Sequence, residues 1–141
     1  MAELERLDVR QPRPTPGAER VYAARVIASL DDPGTRVLVA ESDGHVGGFI
    51  LGALIGQSDL FQPIKSGFIA DIYVESSVRR LGIGRGLVES LRVWFAECSV
   101  ARIALNVDSA NAAGIAFWTA LGARKDQIKM QIEMDENRGI P

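Results

Sequence analysis

The stretch VESSVRRLGIGRGLVESL, from Val74 to Leu91, decides how this chain is expected to fold. It joins an apolar, strand-like run to a helix-like run, with three arginines and three glycines packed into residues 79–86. The first backbone N–H groups of a helix lack partners and carry a partial positive charge, so they bind anions readily. Gly82 and Gly84 would let a phosphate approach that backbone closely. The arginines that could add charge at its rim are Arg79, Arg80 and Arg85.

Two common nucleotide-binding motifs do not fit this stretch. A dinucleotide fingerprint reads Gly-x-Gly-x-x-Gly, but Gly82, Gly84 and Gly86 alternate and Leu87 stands where the third glycine belongs. The phosphate loop of nucleotide hydrolases needs Gly-Lys-Ser/Thr, which the stretch lacks. Taken alone, the stretch is also compatible with a glycine-rich turn whose arginines are simply solvated.

The bulk composition predicts one ordinary globular domain over residues 1–141. The chain is 47% hydrophobic and 24% charged, and its net charge of -2 argues against nucleic acid or an anionic membrane as a partner. The single cysteine, Cys98, favours a reducing cytoplasm, and the N-terminal sequence has no signal-peptide pattern. No apolar run is long enough for a membrane helix. The sequence contains no cluster of Cys and His residues, so no metal site is expected.

The pattern of apolar residues and turn signals predicts an α/β fold. The expected helices are Leu4 to Val9, Ala18 to Leu30 (with Thr15 as a cap before Pro16), Gly84 to Glu97 and Asn111 to Leu121. The expected strands are Val37 to Glu41, Val46 to Ile55, Gly67 to Val74, Ala101 to Val107 and Ile128 to Met134. Asp43 and Gly44 predict a hairpin turn between the first two strands. This order predicts a mixed, mostly antiparallel sheet covered by helices, with one parallel crossover through the glycine-rich stretch.

Two spaced motifs resemble those of the GNAT superfamily of N-acetyltransferases. The pattern Arg79-x-x-Gly82-x-Gly84 is similar to the acyl-coenzyme A signature Gln/Arg-x-x-Gly-x-Gly/Ala. Downstream, LNVDSANAAGIAFWTALGARK is similar to the second signature, with an asparagine at a helix start, an aromatic pair and then Leu-Gly. The resemblance covers Gly67 to Met134 and extends to the Val37 to Ile55 hairpin. It implies helices on both faces of the sheet, and a parallel strand pair that splays apart.

The resemblance implies acetyl-coenzyme A as co-substrate and no metal. Its pantetheine arm would lie between the splayed strands, against the backbone of Ile72 and Val74. Its pyrophosphate would bind the backbone N–H groups from Leu81 to Arg85. Asn111 matches an asparagine that hydrogen-bonds the arm, although a helix cap is an equal interpretation. The residues so implied are Ile72, Val74, Arg79, Arg80, Leu81, Gly82, Ile83, Gly84, Arg85 and Asn111.

The implied reaction is direct attack of a primary amine on the thioester, which needs a base for the amine proton. Strand alternation puts Asp71 and Tyr73 on one face and Ile72 and Val74 on the other. Asp71 is the leading candidate for the base, though an edge-of-sheet carboxylate or a salt bridge accounts for it equally. Glu41 is a second candidate.

Trp118 departs from the family pattern, in which the aromatic pair commonly ends in a tyrosine that protonates the leaving thiolate. An indole N–H donates a hydrogen bond but does not deliver a proton. Tyr73 is the better placed of the chain's two tyrosines to take that role, Tyr22 being the other. The alternative interpretation of Trp118 is a core residue without a catalytic role, because an aromatic side chain on an apolar helix face is usually buried in the core.

Other features of the sequence have plainer interpretations. His45 is expected to be an exposed turn residue, and Cys98 a buried packing residue. The N-terminal sequence shows no convincing first strand, unless Leu7 to Arg10 is a remnant of one. The resulting hypothesis is an acetyl-coenzyme A-dependent N-acetyltransferase acting on a small-molecule or peptide amine, with homodimerisation open. The alternatives are a non-catalytic acyl-coenzyme A sensor and a glycine-rich interaction domain.

Overall fold

The computed structural model of the chain describes residues 4–6, 24, 27–28, 30–56, 65–79 and 81–135. Its strands are β1 (Leu4–Arg6), β2 (Thr35–Ser42), β3 (His45–Ile55), β4 (Ser66–Glu75) and β5 (Arg102–Ala104). Its longer helices are α1 (Ile83–Glu97) and α2 (Ala112–Ala120), and Ser76–Val78 form one 3-10 turn after β4. The fold is therefore mixed α/β, as the sequence predicted.

Strand β4 organises the sheet. Strand β3 pairs antiparallel with β4 along one edge, and β2 pairs antiparallel with β3 beyond it. The other edge of β4 is shared: β5 pairs with it in parallel at residues 66–68, and β1 pairs antiparallel at residues 73–75. The single parallel pair follows from the helical crossover through α1, since a helix returns the chain in the same direction.

The β2–β3 hairpin is closed by the Asp43-Gly44 turn that the sequence predicted. Asp43 has φ 50° and Gly44 has φ 78°, so both central residues are left-handed. Two left-handed residues match the right-handed twist of the flanking strands, and Asp-Gly tolerates that conformation. The turn thereby fixes Ser42 opposite His45 and sets the register of the hairpin.

The core lies between the sheet and α1. One face of that helix is apolar and buried, and its Leu91 and Phe95 are 0% and 1% exposed. The buried residues that share this core are Ile50, Ile69, Ile72, Val74, Leu87, Val88, Leu91, Trp94, Phe95 and Trp118. Replacing a fully buried phenylalanine with alanine typically costs about 3–5 kcal/mol, so Phe95 is a principal contributor to stability.

Two strand glycines are required by close packing. A Cβ on Gly67 would lie 2.4 Å from the Phe95 ring, and one on Gly48 would lie 2.6 Å from the Tyr73 carbonyl oxygen. Both distances are far inside van der Waals contact. Gly48 therefore marks a close approach of β3 to the backbone of β4.

Three sequence predictions are wrong in whole or in part. The helix expected for Leu4 to Val9 is a strand over Leu4–Arg6, where pairing with β4 overrides weak helical propensity. Strand β5 stops at Ala104 instead of Val107, because its pairing with β4 ends there. The strand expected for Ile128 to Met134 is absent: the segment is neither helix nor strand and has no paired neighbour among the described residues.

The remaining N-terminal predictions fall mostly outside the described residues. Within the helix expected for Ala18 to Leu30, Ala24, Ile27 and Ala28 are helical. The predicted cap at Thr15 and the strand remnant at Leu7 to Arg10 lie outside the described residues.

Candidate functional site

A β-bulge at Ala70 sets the direction of the side chains in the second half of β4. Consecutive residues of β3 pair with Ile69 and Asp71, so Ala70 has no residue opposite it. An extra residue of this kind reverses the alternation of a strand. Ile69 and Ile72 consequently both belong to the core shared with α1, and Asp71 lies on the other face of the sheet.

Asp71 and Tyr73 are neighbours on the face of β4 that points away from α1. They are 7% and 8% exposed, respectively. The Tyr73 ring stacks on Phe49, its direct cross-strand partner, with centroids 5.5 Å apart and planes at 18°. A carboxyl group and a phenol therefore lie two residues apart on one face, shielded from bulk water, and the predicted alternation with Ile72 and Val74 holds.

The edge of β4 opposite β3 is only partly occupied. Strand β5 pairs with it as far as Phe68, and β1 pairs with it from Tyr73 onward. Among the described residues, the stretch 69–72 has no strand beside it on this edge. The backbone at Ile72 thus borders an open stretch, whereas Val74, also predicted to border a ligand, has Glu5 opposite it.

The turn after β4 brings the predicted anion site directly to the end of that strand. Gly82 is the N-cap of α1, with φ 78° and ψ 13°, and no side chain caps the helix. The first backbone hydrogen bond of the helix runs from the Gly86 N–H to the Gly82 carbonyl at 2.9 Å. The N–H groups of residues 83–85 precede it, so they have no partner within the helix. No acidic residue stands in this first turn to compete for the positive end of the helix.

The space beside Gly82 is open. A Cβ at this position would meet no atom within 4 Å. Leu81 is 73% exposed, while Gly84 is buried and Ile83 packs against the core. The turn therefore offers backbone N–H groups on its outer side and anchors itself through its apolar side chains.

The predicted arginines differ in their surroundings. The Arg79 Nε–H donates to the Val74 carbonyl oxygen at 3.3 Å, which ties the turn back to the end of β4. Arg85 is exposed on the first turn of α1 and is free to reach a ligand at its rim. Arg80 lies outside the described residues.

Asn111 caps α2, one of the two roles that the sequence left open. Its side-chain oxygen accepts a hydrogen bond from the Gly114 N–H at 2.9 Å. Such caps typically stabilise a helix by about 0.5–2 kcal/mol. The contact holds the amide at the start of α2.

Trp118 belongs to the core and is only 3% exposed. Its ring meets Phe117 edge to face at 4.9 Å. The buried indole N–H makes no hydrogen bond within the part of the chain that is described. An unsatisfied buried donor is costly, so a group that accepts this hydrogen bond would be stabilised there.

Sequence reasoning missed one side-chain hydrogen bond at the end of β4. The His45 ring Nε2 lies 2.5 Å from a Glu75 carboxylate oxygen, although the residues are 30 positions apart. No sequence signal marks this pair. His45 is otherwise exposed as predicted, with 63% of its side chain accessible.

Two further residues named in the sequence analysis differ in burial. Cys98 is partly buried against the core, and Glu41 is exposed beside a register shift in β2.

The described residues contain neither a candidate membrane-spanning helix nor a candidate metal-binding cluster. None of their helices is long and apolar enough to cross a membrane. Within the same ranges, no three His, Cys, Asp or Glu side chains come together in a way that could hold a metal ion.

Solved structures with this architecture include several acetyltransferases. A variant of the BH1408 protein from Bacillus halodurans is 25% identical with a TM-score of 0.73, covering 79% of this chain and 73% of that one. A ribosomal-protein-alanine N-acetyltransferase from Brucella melitensis biovar Abortus 2308 is 23% identical with a TM-score of 0.65, covering 89% and 83%. The aminoglycoside N-acetyltransferase AAC(6')-Iy, solved with coenzyme A, is 17% identical with a TM-score of 0.71, covering 82% and 77%.

The sequence itself matches a family model. No curated protein matches it. The model of the acetyltransferase (GNAT) family matches residues 1–123, which include β4, the glycine-rich turn, α1 and α2. With its mixed sheet and the turn that joins β4 to α1, this chain belongs to the GNAT family of acetyltransferases.

Proposed function

We propose that this protein transfers the acetyl group of acetyl-coenzyme A to a primary amine. The observation that carries the proposal is the uncapped N-terminus of α1 at Gly82, placed at the end of a strand with an open edge. Unpaired N–H groups and the helix dipole suit a pyrophosphate, and an open strand edge suits the amides of a pantetheine arm. Neither feature requires a side chain.

The residues of this chain divide the binding between two surfaces. The N–H groups of residues 83–85 would donate to the pyrophosphate, with Arg85 adding charge from the exposed rim. The backbone near Ile72 would pair with the pantetheine arm.

The bound thioester supplies an acyl carbon that a neutral amine can attack. A C–N bond forms, the C–S bond breaks, the amine loses a proton and the departing thiolate gains one. Asp71 is the proposed acceptor of the amine proton, directly or through a water molecule. Tyr73 is the proposed donor to the sulfur, because its phenol lies on the same face of β4 and Trp118 cannot deliver a proton.

The amine belongs to one of two proposed classes. Similar folds are found in an enzyme named for aminoglycosides and in one named for a ribosomal-protein alanine. The net charge of -2 favours a cationic acceptor of either kind, a small polyamine-like molecule or a peptide amino terminus.

Titration of an isotopically labelled sample with coenzyme A tests the binding half of the proposal. We expect saturable binding, with the largest amide shifts at residues 83–85 in nuclear magnetic resonance spectra. Adenosine, which lacks the pyrophosphate, serves as the control and should leave those amides unmoved. Shifts confined to other parts of the chain would contradict the assignment of the turn.

A non-catalytic acyl-coenzyme A sensor is the second candidate. It is favoured by the burial of Trp118 in the core, where the family pattern commonly has a proton-donating tyrosine. The two functions differ in turnover. Tight binding of acetyl-coenzyme A, with no thiol released in the presence of aminoglycosides, polyamines and peptides, would favour the sensor.

A further inference from the structure

The face of the sheet that carries Asp71 and Tyr73 continues across β3 and β2. Residues directly opposite each other on neighbouring strands share a face, so the pairing of these strands defines two rows. The members of the rows are Val37, Leu51 and Asp71 in the first, and Val39, Phe49 and Tyr73 in the second. Between the rows, Ile50 pairs with Ile72, and both are fully buried in the core on the opposite face. The two rows therefore lie together on the face that points away from α1.

The two rows form a mostly apolar surface that leads to a single charged group. Four of their six side chains are hydrocarbon, and Asp71 is the one that carries a charge. Exposure increases outward from β4: Tyr73 is 8% exposed, Phe49 is partly buried and Val39 is 56% exposed. Neighbouring strands are about 4.8 Å apart, so each row extends about 10 Å from β4 to β2. A ligand could therefore lie along the rows, with one end at the carboxylate and the other at the surface.

From this surface we infer that the acceptor is the amino terminus of a peptide whose first residue has a large apolar side chain. The inference rests on the proposed acetyl transfer and chooses between its two classes of amine. The α-amine lies at Asp71, and the first side chain packs on Leu51 and Phe49. The rest of the peptide leaves over β2, at the exposed end of the rows near Val39.

The number of carboxylates argues against a polyamine or an aminoglycoside. Such molecules carry several ammonium groups, and each one that leaves water needs an opposite charge or hydrogen bonds. Glu41 is the carboxylate of β2, but it lies four residues beyond Val37, about 13 Å along the strand. Glu75, four residues beyond Asp71 on β4, is hydrogen-bonded to His45. One carboxylate on an apolar surface suits a molecule with one amine.

An α-amine also demands less of the base than an alkylamine does. Its pKa is about 7.7–8.0, against about 10.4 for the side-chain amine of lysine. At neutral pH a larger fraction of an α-amine is therefore neutral, which is the form that attacks a thioester. As the C–N bond forms and the C–S bond breaks, Asp71 takes the proton that the amine loses and Tyr73 donates one to the departing sulfur.

Peptides that differ only in their first residue test the inference, with thiol release by the full chain as the measurement. With phenylalanine or leucine first, kcat/KM should be at least about tenfold higher than with serine or lysine first, because apolar contact commonly discriminates by roughly 10- to 200-fold. Spermidine and an aminoglycoside should be poorer acceptors than the phenylalanine peptide. Equal rates for all first residues, or turnover restricted to spermidine or the aminoglycoside, would overturn the inference and leave acetyl transfer itself standing. Absence of turnover with every amine would overturn both.

A charge placed at the open end of the rows tests the same surface from the side of the protein. Val39→Asp should lower kcat/KM for the phenylalanine peptide about tenfold and raise the relative rate for the lysine peptide, because a second carboxylate then borders the first side chain. Val93→Asp is the matched control, since Val93 is 60% exposed and lies on α1, on the other side of the sheet.

Both aspartate variants should bind acetyl-coenzyme A as the wild type does in titration calorimetry, because neither residue lies at the glycine-rich turn. Only Val39→Asp should change the ratio of the rates for the phenylalanine and lysine peptides. An unchanged ratio in Val39→Asp, or the same change in both variants, would overturn the assignment of the first side chain to these rows.

Discussion

Replacing Gly82 with alanine separates a binding role of the turn from a folding role. Gly82 is left-handed, with φ 78°, and has open space where a Cβ would stand. Alanine in that conformation costs about 1–2 kcal/mol, which for a domain of this size corresponds to a fall in Tm of roughly 3–8 °C. Gly122 is the matched control, since it also has a positive φ, 98°, and nothing within 4 Å of its Cβ position.

The two alanine variants should therefore lose similar stability but differ in binding. Only Gly82→Ala adds a methyl group at the N-terminus of α1, in the space that the pyrophosphate is proposed to occupy. We expect a Kd for coenzyme A raised at least about tenfold, equivalent to about 1.4 kcal/mol, against no change for Gly122→Ala. Differential scanning calorimetry gives the Tm and titration calorimetry gives the Kd. Equal affinities in the two variants, with equal losses of Tm, would refute the pyrophosphate site.

Further variants test the fold and the chemistry separately. Gly67→Ala should destabilise the protein by about 1–3 kcal/mol in urea unfolding, because the added Cβ meets the Phe95 ring at 2.4 Å; a neutral effect would mean that the ring moves without cost. Asn111→Ala should cost about 0.5–2 kcal/mol through loss of the α2 cap, while Asn111→Asp keeps an accepting oxygen and should recover most of it. Asp71→Asn should lower kcat about 100- to 10,000-fold with little change in Kd for acetyl-coenzyme A, if that carboxylate accepts the amine proton. An unchanged kcat would remove Asp71 from the chemistry.

The local features of this fold were readable from the sequence because each rests on neighbouring residues. Asp43 and Gly44 specify a turn whose geometry only a few residue types accept. The apolar face of α1 follows from helical spacing, and Gly82 marks the start of that helix. These local signals were enough to predict the hairpin, the crossover helix and the position of the candidate site.

Features that depend on distant residues were not readable in the same way. The bulge at Ala70 arises from how β3 and β4 pair, and no residue type at that position announces it. The His45–Glu75 pair joins the hairpin to the end of β4 and depends on tertiary register. Strand character beyond Ala104 and at Ile128 to Met134 requires a neighbouring strand, which the sequence pattern cannot supply by itself.

The candidate site shows the same division. The backbone donors of the turn could be predicted because glycine spacing and helix geometry determine them. The roles of side chains were left open between alternatives, and only the packing shows that Asn111 serves as a cap and that Trp118 lies in the core. Asp71 and Tyr73 remain predictions as catalytic groups, though both lie on the face of β4 where the alternation put them.

Turnover of acetyl-coenzyme A with a panel of primary amines tests the central claim most directly. Thiol release would be followed with purified full chain, and the amine product identified by mass spectrometry. We predict saturable, amine-dependent thiol release with acetylation at nitrogen for at least one cationic acceptor. In Gly82→Ala the rate should fall at least about tenfold when acetyl-coenzyme A is kept below its KM. Thiol release that stays at the uncatalysed rate with every aminoglycoside, polyamine and peptide, while acetyl-coenzyme A binds tightly, would contradict the proposed acetyl transfer.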